Sequence, residues 1–136
     1  MPQTLIFAPM GVLAFLTFAV LALIPFRRFR AGRAGQIRPD DFQYGESAAV
    51  PGHASIPNRN YMNLLELPML FYVAGLMFYV TGKVDAGVLT LAWAYVALRA
   101  AHTAIHLTYN RVMHRLLPFA LSNFVLMSIW ALFFLR

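Results

Sequence analysis

The chain has 136 residues, of which 60% are hydrophobic, 15% aromatic and 12% charged, too apolar for a single small domain to bury in water, so it points to lipid. Its formal charge of +6 brings nucleic acid to mind, but the cations sit between apolar runs rather than along one polar face, which argues against that partner. Cysteine is absent, which excludes a disulfide framework, a thiolate metal site and a cysteine nucleophile.

The first apolar run, Leu5 to Phe26, belongs to a stretch with no charge from Met1 onward. Its start, Met1-Pro2-Gln3-Thr4, lacks the positive n-region of a signal peptide, and the basic cluster follows the run. A retained span is the expectation. Next comes a polar, basic connection from Arg27 to Asn58, with Arg27, Arg28, Arg30, Arg33 and Arg38 among Pro and Gly. The second run, Asn60 to Gly82, carries Glu66 as its one charge, and Gly82-Lys83-Val84-Asp85 reads as a tight turn. The third, Ala86 to Tyr109, holds Arg99, His102 and His106. A short basic link with Arg111, His114 and Arg115 leads to the uncharged fourth run, Leu116 to Leu135.

Crossing a hydrocarbon core takes about 20 apolar residues, and all four runs qualify. None shows the alternation of a barrel strand, so the fold class is all-α: a polytopic, four-transmembrane-helix bundle forming one domain over residues 1–136. The positive-inside rule puts the first and third connections in the cytoplasm and both termini outside.

Ionisable residues inside a span are costly unless paired or hydrated, and they mark functional sites. Arg59, just before the second run, and Asn63 and Glu66 within it fall within about 60° of helical arc. In the third, Arg99, His102, His106 and Tyr109 fall within about 80°. Run in opposite directions, the two helices place Glu66 and His102 at matching depth, roughly 10 Å from the cytoplasmic ends. One reading is a structural pair, Glu66 with Arg99 or with His102. The larger number of polar groups on facing stripes favours a polar pocket open to the cytoplasm. The i, i+4 spacing of His102 and His106 suits a helical metal site, but no His-Glu-x-x-His motif is present and Arg99 would repel a cation, so no metal is expected.

Asn63-Leu64-Leu65-Glu66-Leu67-Pro68 and Arg99-Ala100-Ala101-His102 resemble signatures of the MAPEG family, the membrane-associated proteins in eicosanoid and glutathione metabolism. The likeness covers all four spans and is greatest to bacterial members, which implies an inner-membrane protein and a homotrimer. It implies glutathione as cofactor, held by Arg59, Asn63, Glu66, Arg99 and His102, with His106 and Tyr109 beside them. Arg115, with Arg111 as runner-up, looks like the family's thiolate-stabilising arginine and is the candidate catalytic residue. The implied activity is that of a membrane-bound glutathione-dependent transferase or peroxidase acting on lipophilic electrophiles.

The chain departs from the pattern at two positions. His106 stands where the family commonly has Tyr, and Tyr61 where a His often follows the first stripe's arginine. These departures motivate an alternative, a non-enzymatic protein of the same fold that binds a lipid or another anionic ligand. A proton- or ion-conducting role is a third reading, but the polar groups stop at mid-depth.

Overall fold

The computed structural model describes the whole chain, Met1 to Arg136, as five α-helices and two short 3-10 turns. Helix α1 spans Phe7–Arg33, α2 Gly52–Leu65, α3 Pro68–Val80, α4 Ala86–Leu107 and α5 Val112–Leu135. Helices α2 and α3 together make one membrane-length element, so four elements are long and apolar enough to cross a bilayer. Only 30 of 136 residues are buried. Large apolar side chains such as Phe15, Phe18, Phe124 and Phe134 face outward, as lipid-facing positions do.

Two boundaries correct the sequence reading. The basic connection is shorter than Arg27 to Asn58, because α1 runs on to Arg33 and α2 begins at Gly52. Hydropathy falls where the bilayer ends, whereas a helix continues until its carbonyls find other partners. For α1 that happens at Gly35, whose φ of +72° lets Gln36 N–H bond back to Ala31 O at 3.0 Å.

The second span is not one helix. Pro68 has no N–H to give to the Leu64 carbonyl, and its ring crowds that carbonyl, so the helix breaks at Glu66 and Leu67. Glu66 takes φ −78° and ψ −101°, outside helical geometry. The chain restarts with Pro68 at the first position of α3, where a missing donor costs nothing.

The core runs along the bundle through Leu13, Val20, Phe71, Phe78, Val88 and Tyr95. Phe71 and Tyr95 stack with centroids 4.7 Å apart, joining α3 to α4. Gly75 admits Met10 so closely that a Cβ there would lie 2.7 Å from its sulfur. Helices α1 with α2, and α4 with α5, form the most extensive pairings.

Both chain ends meet the turn between α3 and α4. The Gln3 amide exchanges two hydrogen bonds with the Val84 backbone, at 3.1 and 2.7 Å. Arg136 pairs with Asp85, whose side chain also accepts from Val88 N–H at 2.8 Å and so caps α4. At the other end, Arg27 donates to the carbonyls of His53 and Leu107, tying α1 to the start of α2 and the end of α4. The termini and the short turn thus share one end of the bundle, and the two basic connections share the other.

Candidate functional site

Each polar residue of the site is placed by a local feature of its helix. Asn63 lies in the last turn of α2, just before the Pro68 break. Arg99, His102 and His106 recur at helical spacing on the inner face of α4. Arg115 lies in the first turn of α5, brought back over α4 by a tight link. Asn110 makes that link possible: its φ of +48° is left-handed, and its N–H reaches Ile105 O at 2.8 Å. Its side-chain oxygen then accepts from Arg115 Nη1 at 2.8 Å, so one residue shapes the turn and aims the arginine.

The three elements are joined by one hydrogen-bonded chain. Arg99 is fully buried, and its Nη2 donates to both Asn63 O and Asn63 Oδ1, at 3.1 and 3.0 Å. With its oxygen so engaged, the Asn63 amide turns its nitrogen to His102 Nε2 at 3.3 Å. His102 Nδ1 in turn lies 3.0 Å from the carbonyl oxygen of Arg115. A carbonyl only accepts, so the network assigns the proton to Nδ1 and leaves Nε2 to accept from Asn63. Every donor and acceptor in the series points the same way.

This arrangement changes the pairing expected from sequence. Neither Glu66–Arg99 nor Glu66–His102 forms; Asn63 occupies both places. Glu66 falls at the helix break and is turned outward, exposed on the surface beside Leu65, Leu67 and Met69. Its N–H still bonds to Met62 O at 3.2 Å, so it keeps the phase of α2, and like Arg59 on the same stripe it is exposed. Tyr109 also leaves its stripe, because α4 ends at Leu107. It is 57% exposed, and its hydroxyl lies 3.2 Å from His114 Nδ1, away from the other site residues.

Two adjoining cavities lie at the basic end of the bundle. The first, about 230 Å³, is lined by the polar residues Asn63, His102, His106 and Arg115 and by the apolar residues Val112, Leu116 and Phe119. The second, about 430 Å³, includes Ser55, Arg59, Asn110, His106 and Arg115 in its lining. His106 and Arg115 belong to both, and no carboxylate lines either. Together the cavities reach the size range of small-molecule sites. Arg59 is held by its Nε donating to Ser55 Oγ at 3.2 Å. Arg99 stands behind Asn63 with Nε and Nη1 unpartnered, and His106 Nδ1 is likewise buried without a partner.

The structure therefore brings together Arg59, Asn63, His102, His106 and Arg115, backs them with Arg99, and leaves Glu66 and Tyr109 outside. Sequence reasoning missed Asn110, Ser55 and the buried residues Asn60 and Thr103, whose side-chain oxygens and amide find no partner within the chain. An asparagine in a short link between spans signals a left-handed turn, and a serine four residues before Arg59 signals a same-face contact.

The sequence model described as the MAPEG family matches residues 6–135. The chain belongs to the MAPEG family. That family includes glutathione-dependent transferases and peroxidases. Membership agrees with the four spans and their order, and the match takes in every site residue from Arg59 to Arg115. No curated protein and no solved structure matches the chain. This MAPEG member thus carries its polar residues at the basic end of the bundle, with apolar α5 side chains lining the same cavity.

Proposed function

We propose that this MAPEG protein is a glutathione-dependent transferase or peroxidase acting on lipophilic electrophiles. The observation that carries the reading is a cation-lined site, free of carboxylates, in which polar and apolar side chains both line the cavity. Glutathione bears two carboxylates, one ammonium and a thiol. Guanidinium groups match carboxylates through paired N–H donors, a role open to Arg59 and, in part, to Arg115. The unpartnered His106 Nδ1 and Arg99 Nε and Nη1 are buried polar atoms of the kind a polar ligand satisfies.

Bound glutathione supplies the thiol, which reacts as thiolate. Arg115, positioned by Asn110, is suited to stabilise that anion, because a nearby guanidinium favours thiolate over thiol. Asn63 and His102 orient the wall, with Arg99 fixing the amide. Val112, Leu116 and Phe119 offer the apolar side from which an electrophile dissolved in the bilayer would approach.

A homotrimer fits the same reading. Glu66 is an exposed carboxylate in a membrane-length element, and at mid-bilayer a lone acidic group costs about 2.5–3.5 kcal/mol on insertion scales. A neighbouring protomer seated against the α2–α3 break would cover it and could let it receive the glutathione ammonium. The positive-inside rule favours a cytoplasmic side for the basic connections and hence for the site, and the likeness to bacterial members supports an inner membrane.

Calorimetric titration of glutathione into the purified protein in nanodiscs tests the proposal. Saturable binding is expected, weakened at least about tenfold in Arg59→Gln and in Glu66→Ala, since a charge-assisted contact is worth about 1.5–3 kcal/mol. Absence of binding above that of the paired Arg59→Gln/Arg115→Gln variant would sink the idea. In that case the non-enzymatic reading takes over, and native mass spectrometry should find a co-purifying anionic ligand in the site.

A further inference from the structure

A second cavity system lies at the basic end, away from the glutathione candidate site. It is a pocket of about 680 Å³ between the last turns of α1 and the connection that folds back beneath them. Three guanidinium-bearing residues line it, Arg28, Arg33 and Arg38, and none of its ten lining residues is acidic. The acids of the adjoining turn lie outside the lining. Asp41 is occupied by Arg38 N–H at 2.8 Å and by Ser47 Oγ at 3.2 Å, and Asp40 is exposed. The protein's single ion pair, Asp85–Arg136, is at the opposite end.

Arg28 is held in place without being neutralised. Its guanidinium carbon sits 4.3 Å from the centroid of the Phe42 ring, a cation–π contact, while Nε is buried with no hydrogen-bond partner. The same pocket has an apolar flank, formed by Ile24 and Pro25, about one turn toward the membrane from Arg28, and by Phe29 beside it. Phe29 is 71% exposed, and Phe26 beside it is also outward, as aromatic anchors at a bilayer interface are. Cations thus meet an apolar wall at the level where the uncharged run of α1 ends.

We infer that this pocket binds one anionic glycerophospholipid, its phosphate held by Arg28, Arg33 and Arg38 and an acyl chain lying along Ile24, Pro25 and Phe29. A free phosphate would use the arginines but leave the apolar flank unoccupied. A zwitterionic lipid would fit the flank while bringing its own cation to the arginines. Phosphate oxygens suit guanidinium donors, and basic pockets at the cytoplasmic face of spans recognise anionic headgroups. The inference is independent of the enzyme reading, since no residue is shared between the two sites.

Native mass spectrometry of the delipidated protein tests it, with phosphatidylglycerol or phosphatidylcholine added at equal mole ratio. Retention of one phosphatidylglycerol per chain is expected, in preference to phosphatidylcholine. Arg28→Gln/Arg33→Gln should reduce that retention by about fivefold or more for each arginine removed. The charge-matched Arg30→Gln/Arg111→Gln variant should stay within about twofold of the parent, because neither residue lines the pocket. If the first double variant fails to fold, Arg38→Gln, altered in the connection alone, serves in its place. Equal retention of the two lipids would overturn the inference. So would equal losses in the two double variants, or full displacement by inorganic phosphate.

Discussion

His102 Nδ1 donates to the main-chain carbonyl of Arg115 at 3.0 Å, so the imidazole is anchored by the backbone of the same residue whose side chain lines both cavities. The contact spans α4 and the first turn of α5, and through Asn63 it extends to α2. Orientation of the ring, the α5 terminus and the Asn63 amide is therefore one linked choice.

Replacing His102 by Phe keeps most of the volume but removes both partners. The Asn63 amide and the Arg115 carbonyl would be left without their acceptor and donor, at about 1–3 kcal/mol for each buried group not rescued by water. A lower midpoint of thermal unfolding in detergent is expected, together with loss of glutathione binding. An unchanged midpoint would mean that the linked chain contributes nothing to stability.

Asn63→Leu should be worse for stability than Asn63→Asp. Leucine removes the one side-chain acceptor of the Arg99 guanidinium and leaves only the main-chain carbonyl, and a hydrogen bond to a charged group is worth about 1.5–3 kcal/mol. Aspartate retains an oxygen for Arg99 but loses the N–H that meets His102. Denaturant titration of the two variants gives the order directly.

Arg115 and Arg111 can be separated by the thiol itself. Arg115 lines both cavities, whereas Arg111 is exposed at the start of α5. Arg115→Gln is expected to abolish the thiolate absorbance of bound glutathione at neutral pH and to reduce turnover about tenfold or more, on the scale of one lost charge-assisted contact. Arg111→Gln should leave the absorbance in place. The reverse result would hand the role to Arg111.

Asp85 makes stability depend on acid. Its carboxyl is held below the ordinary carboxylate range, first by the Val88 N–H and further by Arg136. A carboxyl whose folded value is depressed contributes stability fully above its unfolded value, about 3.9, and loses it as pH falls through the folded value. The thermal midpoint should therefore drop as pH is taken below about 4. Asp85→Ala should start lower at neutral pH and lose less on acidification. Parallel curves for parent and variant would show that Asp85 is not the source.

Pro68→Ala should restore a donor toward Leu64 and let α2 run into α3. Helix content by circular dichroism would rise or hold while glutathione affinity falls, because α3 would be redirected relative to Asn63 and Glu66 at the end of α2. Retained affinity in a straightened helix would show that the break does not serve the site.

The spans were legible because a bilayer imposes a length that composition alone can meet, and residues such as Phe15 or Phe124 need only be apolar to satisfy it. The α4 stripe was legible for the same reason that α4 is regular: Arg99, His102 and His106 stay in phase with an unbroken helix. Where regularity ends the helical wheel says less: Glu66 sits at the end of α2 before Pro68, Tyr109 lies beyond the end of α4, and neither lines the two cavities within the chain. Arg28 and Arg33 were assigned to a loop because charge marks the bilayer boundary, while α1 itself continues to Arg33. The decisive partner of His102, a backbone carbonyl thirteen positions on, has no side-chain identity to read.

The strong pairing of α1 with α2 and of α4 with α5 bears on how the protein assembles. Each pair joins neighbours in sequence, apart from α3, and can form as a hairpin soon after its second helix enters the bilayer. Asn63 belongs to the earlier hairpin, while Arg99, His102 and Arg115 belong to the later one. The hydrogen bonds they share therefore act as a latch, closing only when the two hairpins dock. Co-expressed halves divided in the turn near Lys83 would each insert alone, and recovery of a ligand-binding site would report that the latch had shut.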